Sequence, residues 1–241
     1  MKNECGFVST ALLVLLPLLA TAFSVIAASF YMMKDDGIAR HNCRVALLES
    51  QAEVAKDLEK LLNMNSRAKI LRTRRSSAEA KVIATAGAPP LNAIAQAELQ
   101  EVNAEQTAFG TRQRLLIAHA KSISRQGPSQ ASLRVRKVLI SNQIAQSEKN
   151  ARSDLSPTSQ TAQFNVLASP IHSPSPDYQP SPGFREQQEM KLSWSFYVSD
   201  FLPNWLNGFL PAGQLRSKAE CSATLEKEDT QWRPRLTADK R

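Results

Sequence analysis

Hydrophobic positions along this 241-residue chain change their spacing several times, and each change predicts a different kind of element. Residues 6–33 contain no charged side chain, and the run from Ala11 to Met33 is interrupted only by Pro17, Thr21, Ser24, Ser29 and the Tyr31 hydroxyl. About 20 apolar residues at about 1.5 Å rise cross a hydrocarbon layer of roughly 30 Å, so this segment predicts one transmembrane helix. Beyond it, Val45, Leu48, Ala52, Ala55 and Leu62 recur at helical spacing, with Leu47, Val54, Leu58 and Leu61 widening the stripe. An unbroken helix over 6–62 would run roughly 85 Å, with Gly37 as its weak point. Gly87 and the Pro89-Pro90 pair end the basic segment that follows.

From Pro90 a second long helix is expected, because Leu91, Ile94, Ala95, Leu99, Val102, Phe109, Leu116, Ala120 and Ile123 keep helical spacing. Gln126-Gly127-Pro128 reads as a turn, and Leu133, Ile140, Ile144 and Ala151 define a third helix over 131–153. Two helices joined by so short a turn would pack as an antiparallel hairpin. Prolines 157, 170, 174, 176, 180 and 182 make 154–189 an extended linker in which His172 and Tyr178 have no evident chemical role.

Period-two alternation begins at Met190, with Leu192, Trp194, Phe196 and Val198 on one side. It returns with Leu215, Ser217, Ala219, Cys221, Ala223 and Leu225, and a short third strand is expected over Trp232 to Leu236. Between the first two strands lies an aromatic loop containing Phe201, Trp205, Phe209 and Leu210, a candidate partner-binding or packing cluster. So few strands do not form a stable domain alone, so the sheet is expected to lean on helix. The expected fold is therefore mainly α with a small β part. Its order is a 1–5 tail, a 6–33 transmembrane helix, a 34–87 stalk and basic segment, an 88–153 helical hairpin, a 154–189 linker and a 190–241 antiparallel β module.

Composition sharpens this. Of nine Phe, three Trp and three Tyr, only Phe109 lies between Tyr31 and Phe164, so the middle of the chain needs only narrow apolar stripes. The net charge of +8 is concentrated in two places. Residues 66–81 carry Arg67, Lys69, Arg72, Arg74, Arg75 and Lys81 against Glu79, and 112–152 carry nine cations against Glu148. Both are candidate surfaces for anionic lipid or phosphate, although a solvated helix face is the simpler reading. No aromatic platform or nucleic-acid-binding motif accompanies the charge, which makes nucleic acid an unfavoured partner. No GxSxG, Walker A, HExxH or Rossmann pattern occurs, and there are three histidines. A non-enzymatic protein with no cofactor, no catalytic residues and no metal site is expected.

Within the apolar run, Gly6-Phe7-Val8-Ser9-Thr10-Ala11 followed by an apolar stretch to Pro17 resembles the N-terminal segment of the TadE/TadG-like pseudopilins of tight-adherence (Flp-type) pili. That family has a Gly, a Glu five residues later and a Pro six residues after the Glu. Gly6 and Pro17 match, while Ala11 stands where the family has its Glu. The resemblance implies prepilin-type cleavage between Gly6 and Phe7, a body outside the inner membrane, and pilus or secretion-system subunits as partners. Loss of the carboxylate at Ala11 implies a minor subunit that does not join the filament in the usual way, or a relative that is no longer processed. Ala20-Thr21-Ala22 offers a competing signal-peptidase site, although the apolar stretch outlasts an ordinary signal.

Orientation has opposing indications. Lys34, Arg40 and Arg44 follow the span while Lys2 alone precedes it, which favours a cytoplasmic body, whereas the resemblance favours an extracytoplasmic one. Cys5 precedes the span without a lipobox, and Cys43 and Cys221 follow it. In an oxidising compartment the latter two could form a disulfide, with two buried thiols as the alternative. The leading expectation is a single-pass inner-membrane pseudopilin-like subunit. The alternative is a membrane scaffold whose basic hairpin binds anionic lipid or nucleic acid.

Overall fold

The computed structural model describes residues 4–143, 158–197 and 216–237. Three long helices come first: α1 (Glu4–Asn63), α2 (Asn65–Ala84) and α3 (Pro89–Gln143). Then follow β1 (Thr158–Gln160), β2 (Val166–Ser169), β3 (Asp177–Pro180), the short α4 (Phe184–Gln187), β4 (Met190–Tyr197), β5 (Arg216–Glu228) and β6 (Gln231–Leu236). The fold is mainly helical with a small antiparallel sheet and one long apolar N-terminal helix. One sheet has the order β1-β4-β5-β6, and β2 and β3 form a separate two-stranded sheet.

Helix α1 begins at Glu4, inside the expected tail, and passes through Gly37 without a break. The glycine sits in open space, and the Arg40 guanidinium donates to Asp36 at 2.7 Å, a one-turn pair that bridges the position. The buried stripe of α1 is centred on Leu47, Val54, Leu58 and Leu61 rather than on the Val45-to-Leu62 line, and Ala52 of that line is exposed. Met64 separates α1 from α2 while itself keeping helical angles (φ −74°, ψ −15°).

The helical hairpin lies elsewhere than expected. Helix α3 is continuous across Gln126-Gly127-Pro128, and the chain reverses instead at residues 85–88, between α2 and α3. Proline fixes a φ that helices accept, and its ring normally clashes with the preceding residue's side chain. Here the preceding residue is Gly127, which has none. The real turn has one glycine, Gly87, followed by the Pro89-Pro90 pair, and Asn92 Nδ2 donates to the Val82 carbonyl at 3.0 Å across it. Within the expected third helix, Leu133 is 65% exposed, whereas Ala131 and Val135 are buried.

The chain divides into two compact units. The first comprises Met1–Ala46, Gln130–Ser159 and Leu192–Cys221; the second comprises Leu47–Ser129, Gln160–Lys191 and Ser222–Arg241. The first unit buries Ala39, Cys43 and Ala46 of α1, Ala131 and Val135 of α3, and Leu192, Trp194, Ala219 and Cys221 of the strands. The second has the larger side chains: Leu47, Leu58 and Leu61 of α1, Leu71 of α2, Phe109 of α3, and Leu225 of β5. An edge-to-face chain of Phe164, Phe184 and Trp232, with centroids 5.7 and 5.4 Å apart, belongs to the same unit. There β6 pairs antiparallel with β5, Ala223 opposite Leu236 through Glu228 opposite Gln231. Sheet and helix are joined by hydrogen bonds from Gln51 Nε2 to the Ala223 carbonyl (3.1 Å) and from the Trp232 amide to Glu59 (3.0 Å).

The proline-rich 154–189 stretch is not a free linker over its described part, because the helices grip its backbone. The Asn65 amide donates to the Tyr178 carbonyl (2.8 Å) and accepts from the Tyr178 amide (2.9 Å). Arg72 donates to the Ser175 carbonyl (2.7 Å) and to Asp177 (2.6 Å), and Gln113 donates to the Pro176 carbonyl (3.0 Å). Prolines supply no amide donor to a strand ladder, so this stretch is held instead by side chains that donate to its carbonyls.

Candidate functional site: the apolar segment and the body it enters

Of the described helices, one is long and apolar enough to cross a membrane, and it is α1. Its apolar segment points outward on every side: Leu15, Leu16, Leu18, Leu19, Phe23 and Phe30 are each at least half exposed, and Met33 is 73% exposed. Of the hydroxyls that interrupt this surface, three are satisfied by the helix's own backbone. Thr21 donates to the Leu18 carbonyl, Ser24 to Ala20 and Ser29 to Val25, all at 2.8 Å. No hydroxyl of Thr21, Ser24 or Ser29 therefore needs water, which is the condition a bilayer imposes on a polar group within its core. Pro17 stays within the helix.

The surface changes character abruptly after Met33. Lys34 is exposed, Asp35 is 6% exposed, and Ala39 and Cys43 are fully buried. One turn beyond Ala39, Cys43 is disulfide-bonded to Cys221 of β5, with Cα atoms 6.4 Å apart and 178 positions between them in sequence. The bond ties the segment next to the apolar helix directly to the C-terminal strand. Gly6, Phe7 and Ala11 all lie within the helical part of α1, as does Cys5. The Phe201, Trp205, Phe209 and Leu210 cluster lies outside the described residues.

The basic segment 66–81 is largely neutralised by acids from other elements. Arg67 and Arg74 both reach Glu105 (3.0 and 2.9 Å), Arg72 reaches Asp177, Arg75 reaches Glu79 (2.8 Å) and Lys81 reaches Glu98 (2.7 Å). Arg67 also lies over the Phe109 ring, 5.9 Å from its centroid. The charge count along the sequence missed this because three of these four acids lie across the α2–α3 hairpin or in β3. Helix α3 differs: no acid occurs between Glu105 and Glu148, and Arg112, Arg114, Lys121, Arg125, Arg136 and Lys137 are all exposed.

Titratable groups elsewhere are occupied by structure. His119 Nδ1 lies 2.5 Å from the buried Asp57 carboxylate, and Lys60 approaches the same group at 3.8 Å. Burial pushes the Tyr178 phenol above its ordinary value, with Arg114 opposing. The Glu226 carboxyl is held below its ordinary range, first by its hydrogen bond from Arg235 and also by the nearby Arg185. Among the described residues, no three His, Cys, Asp or Glu side chains gather as a metal site.

Sequence reasoning missed the polar residues buried in the core. Gln51, Gln106, Gln113 and Gln188 are all fully buried, and Gln188 Nε2 donates to Ser124 at 2.8 Å. Gln106 and Gln113 lie on the Val102–Phe109–Ala120 face of α3, so their helical phase was the available signal. No protein-family model, curated protein or solved structure matches this chain.

Proposed function

We propose that the protein is a non-enzymatic, single-pass membrane subunit of pseudopilin type, acting in assembly of a tight-adherence-like pilus or a related secretion apparatus with its body outside the inner membrane. The observation that carries this reading is the construction of α1. An apolar segment with backbone-satisfied hydroxyls runs without interruption into a buried, disulfide-linked body. The disulfide supports an oxidising, extracytoplasmic compartment. Gly6 and Pro17 support the family resemblance, and Ala11 in place of the family's Glu makes a minor subunit the better fit.

N-terminal sequencing of the membrane-extracted protein tests the reading. Phe7 as first residue is the expected result; Phe23 would mean signal-peptidase cleavage, and Met1 a plain anchor. Orientation is tested separately with alkaline phosphatase fused after Arg241. Activity is expected, and an inactive fusion would move the body to the cytoplasm, where the scaffold reading belongs.

A further inference from the structure

The described parts of the first compact unit combine two stretches of chain that are far apart in sequence: residues 34–46, where α1 leaves the apolar segment, and residues 130–143 of α3. Together they carry Lys34, Arg40, Arg44, Arg134, Arg136 and Lys137 against two acids, Asp35 and Asp36. Asp35 is buried, and Asp36 accepts a hydrogen bond from Arg40. Lys34, Arg136 and Lys137 are exposed and engage no carboxylate among the described residues. Leu133, 65% exposed, shares a helix face with Arg136 and Lys137 at one-turn spacing. Exposed cations near the end of an apolar helix match the charge of anionic lipid headgroups.

We propose that Lys34 of α1 and the Arg136 and Lys137 side chains of α3 engage anionic lipid headgroups of the bilayer that the apolar segment crosses. The inference rests on the membrane-anchor part of the reading above and holds for either orientation. Charge complementarity selects the occupant. Lys34 directly follows the last apolar residue, and the headgroup layer extends roughly 5–7 Å beyond the hydrocarbon on each side. Screening over about 8 Å at physiological ionic strength leaves cations in this zone coupled to lipid charge. The α3 cations lie far beyond the 15–20 residues that bias insertion, so they add to a lipid-binding face without entering the orientation count. Folding alone brings them into the unit that contains the end of the apolar segment.

The test uses the full-length protein reconstituted into phosphatidylcholine vesicles containing spin-labelled phosphatidylcholine or spin-labelled phosphatidylglycerol. Electron spin resonance then gives the relative association of each lipid with the protein. We expect several-fold preference for phosphatidylglycerol, abolished at about 1 M salt, where screening shortens to about 3 Å. The Arg136→Gln/Lys137→Gln variant should lose at least about fivefold of that preference, since each such cation contributes roughly fivefold near an anionic surface. Its thermal midpoint should match the parent, and Lys34→Gln provides a second, independent variant. A reconstituted parent without preference, or variants that keep it, would overturn the inference while leaving the anchor intact. Displacement of the labelled lipid by a short single-stranded DNA that binds equally well without vesicles would assign the face to nucleic acid and also overturn it. Failure of the protein to float with neutral vesicles would overturn the anchor and the inference together.

Discussion

At Gly110 of α3 a methyl group has nowhere to go: an added Cβ would lie 2.1 Å from the Pro174 carbonyl oxygen. That backbone is held by the bonds from Arg72 and Gln113 on the residues just after it, so it cannot step aside at low cost. Gly110→Ala is expected to destabilise the protein by about 1–3 kcal/mol, by urea denaturation, and to speed protease cleavage within 170–176. Gln106 makes the opposite case. It is fully buried, and neither amide atom has a partner among the described residues. Replacing an unpaired buried amide with a hydrocarbon of similar size removes a desolvation cost, so Gln106→Leu should leave stability unchanged or raise it by about 1 kcal/mol. A loss above 1 kcal/mol in the same assay would show that the amide has a partner.

The elements follow their hydrophobic spacing where that spacing meets no competing signal. The β4 and β5 alternation appears in part: Leu192, Trp194, Ala219, Cys221, Ala223 and Leu225 are buried, but so are Ser195, Ser222 and Thr224 between them. Gly127-Pro128 is the instructive failure. A turn signal in sequence is a statement about local preference, and here the glycine fills a packing requirement instead: its absent Cβ would meet the Ser50 side chain at 2.9 Å and the Met190 sulfur at 3.1 Å. Helix α3 continues because the close contact on its buried face outweighs a single missing backbone hydrogen bond. At the β5–β6 hairpin, Glu226 lies between Arg185 (2.9 Å) and Arg235. Its lowered pKa means the unfolded chain binds more protons than the folded one across the carboxylate range. The stabilisation is therefore present above the ordinary value of 4.5 and is lost as pH falls through the lower folded value. Urea midpoints of the parent and Glu226→Gln should converge as pH falls from about 7 to about 3; a constant gap would mean the pair does not stabilise the fold.

On the scale of the whole molecule, the chain relies on a long-range covalent tie because so little of its middle can form a thick core. Closing the 178-residue separation between Cys43 and Cys221 is worth about 5 kcal/mol in the chain-entropy description. Cys43→Ser and Cys221→Ser should each lower stability by a similar amount and migrate differently from the parent on non-reducing gels. Identical migration of all three, with and without reductant, would eliminate the bond. Removing residues 1–33 should release the protein from membranes while leaving the second compact unit's unfolding transition in place, because no residue of the apolar segment belongs to that unit.

The sequence by itself determined the apolar helix, its junction with an amphipathic continuation, the α2–α3 break around Gly87 and the alternation of the C-terminal strands. These are local patterns, set by backbone geometry and by which side chains repeat on one face. Tertiary structure decided where the helical hairpin turns, that the proline-rich stretch is held by Asn65, Arg72 and Gln113, and which cations of 66–81 are neutralised. Each of those depends on groups tens of residues apart, such as Arg67 with Glu105 and Arg72 with Asp177, and no local period encodes such a meeting. The same reason separates the two basic regions. Both look alike as charge counts, but folding supplies carboxylates to the first and leaves Arg136 and Lys137 of the second exposed in the unit that begins with the apolar helix.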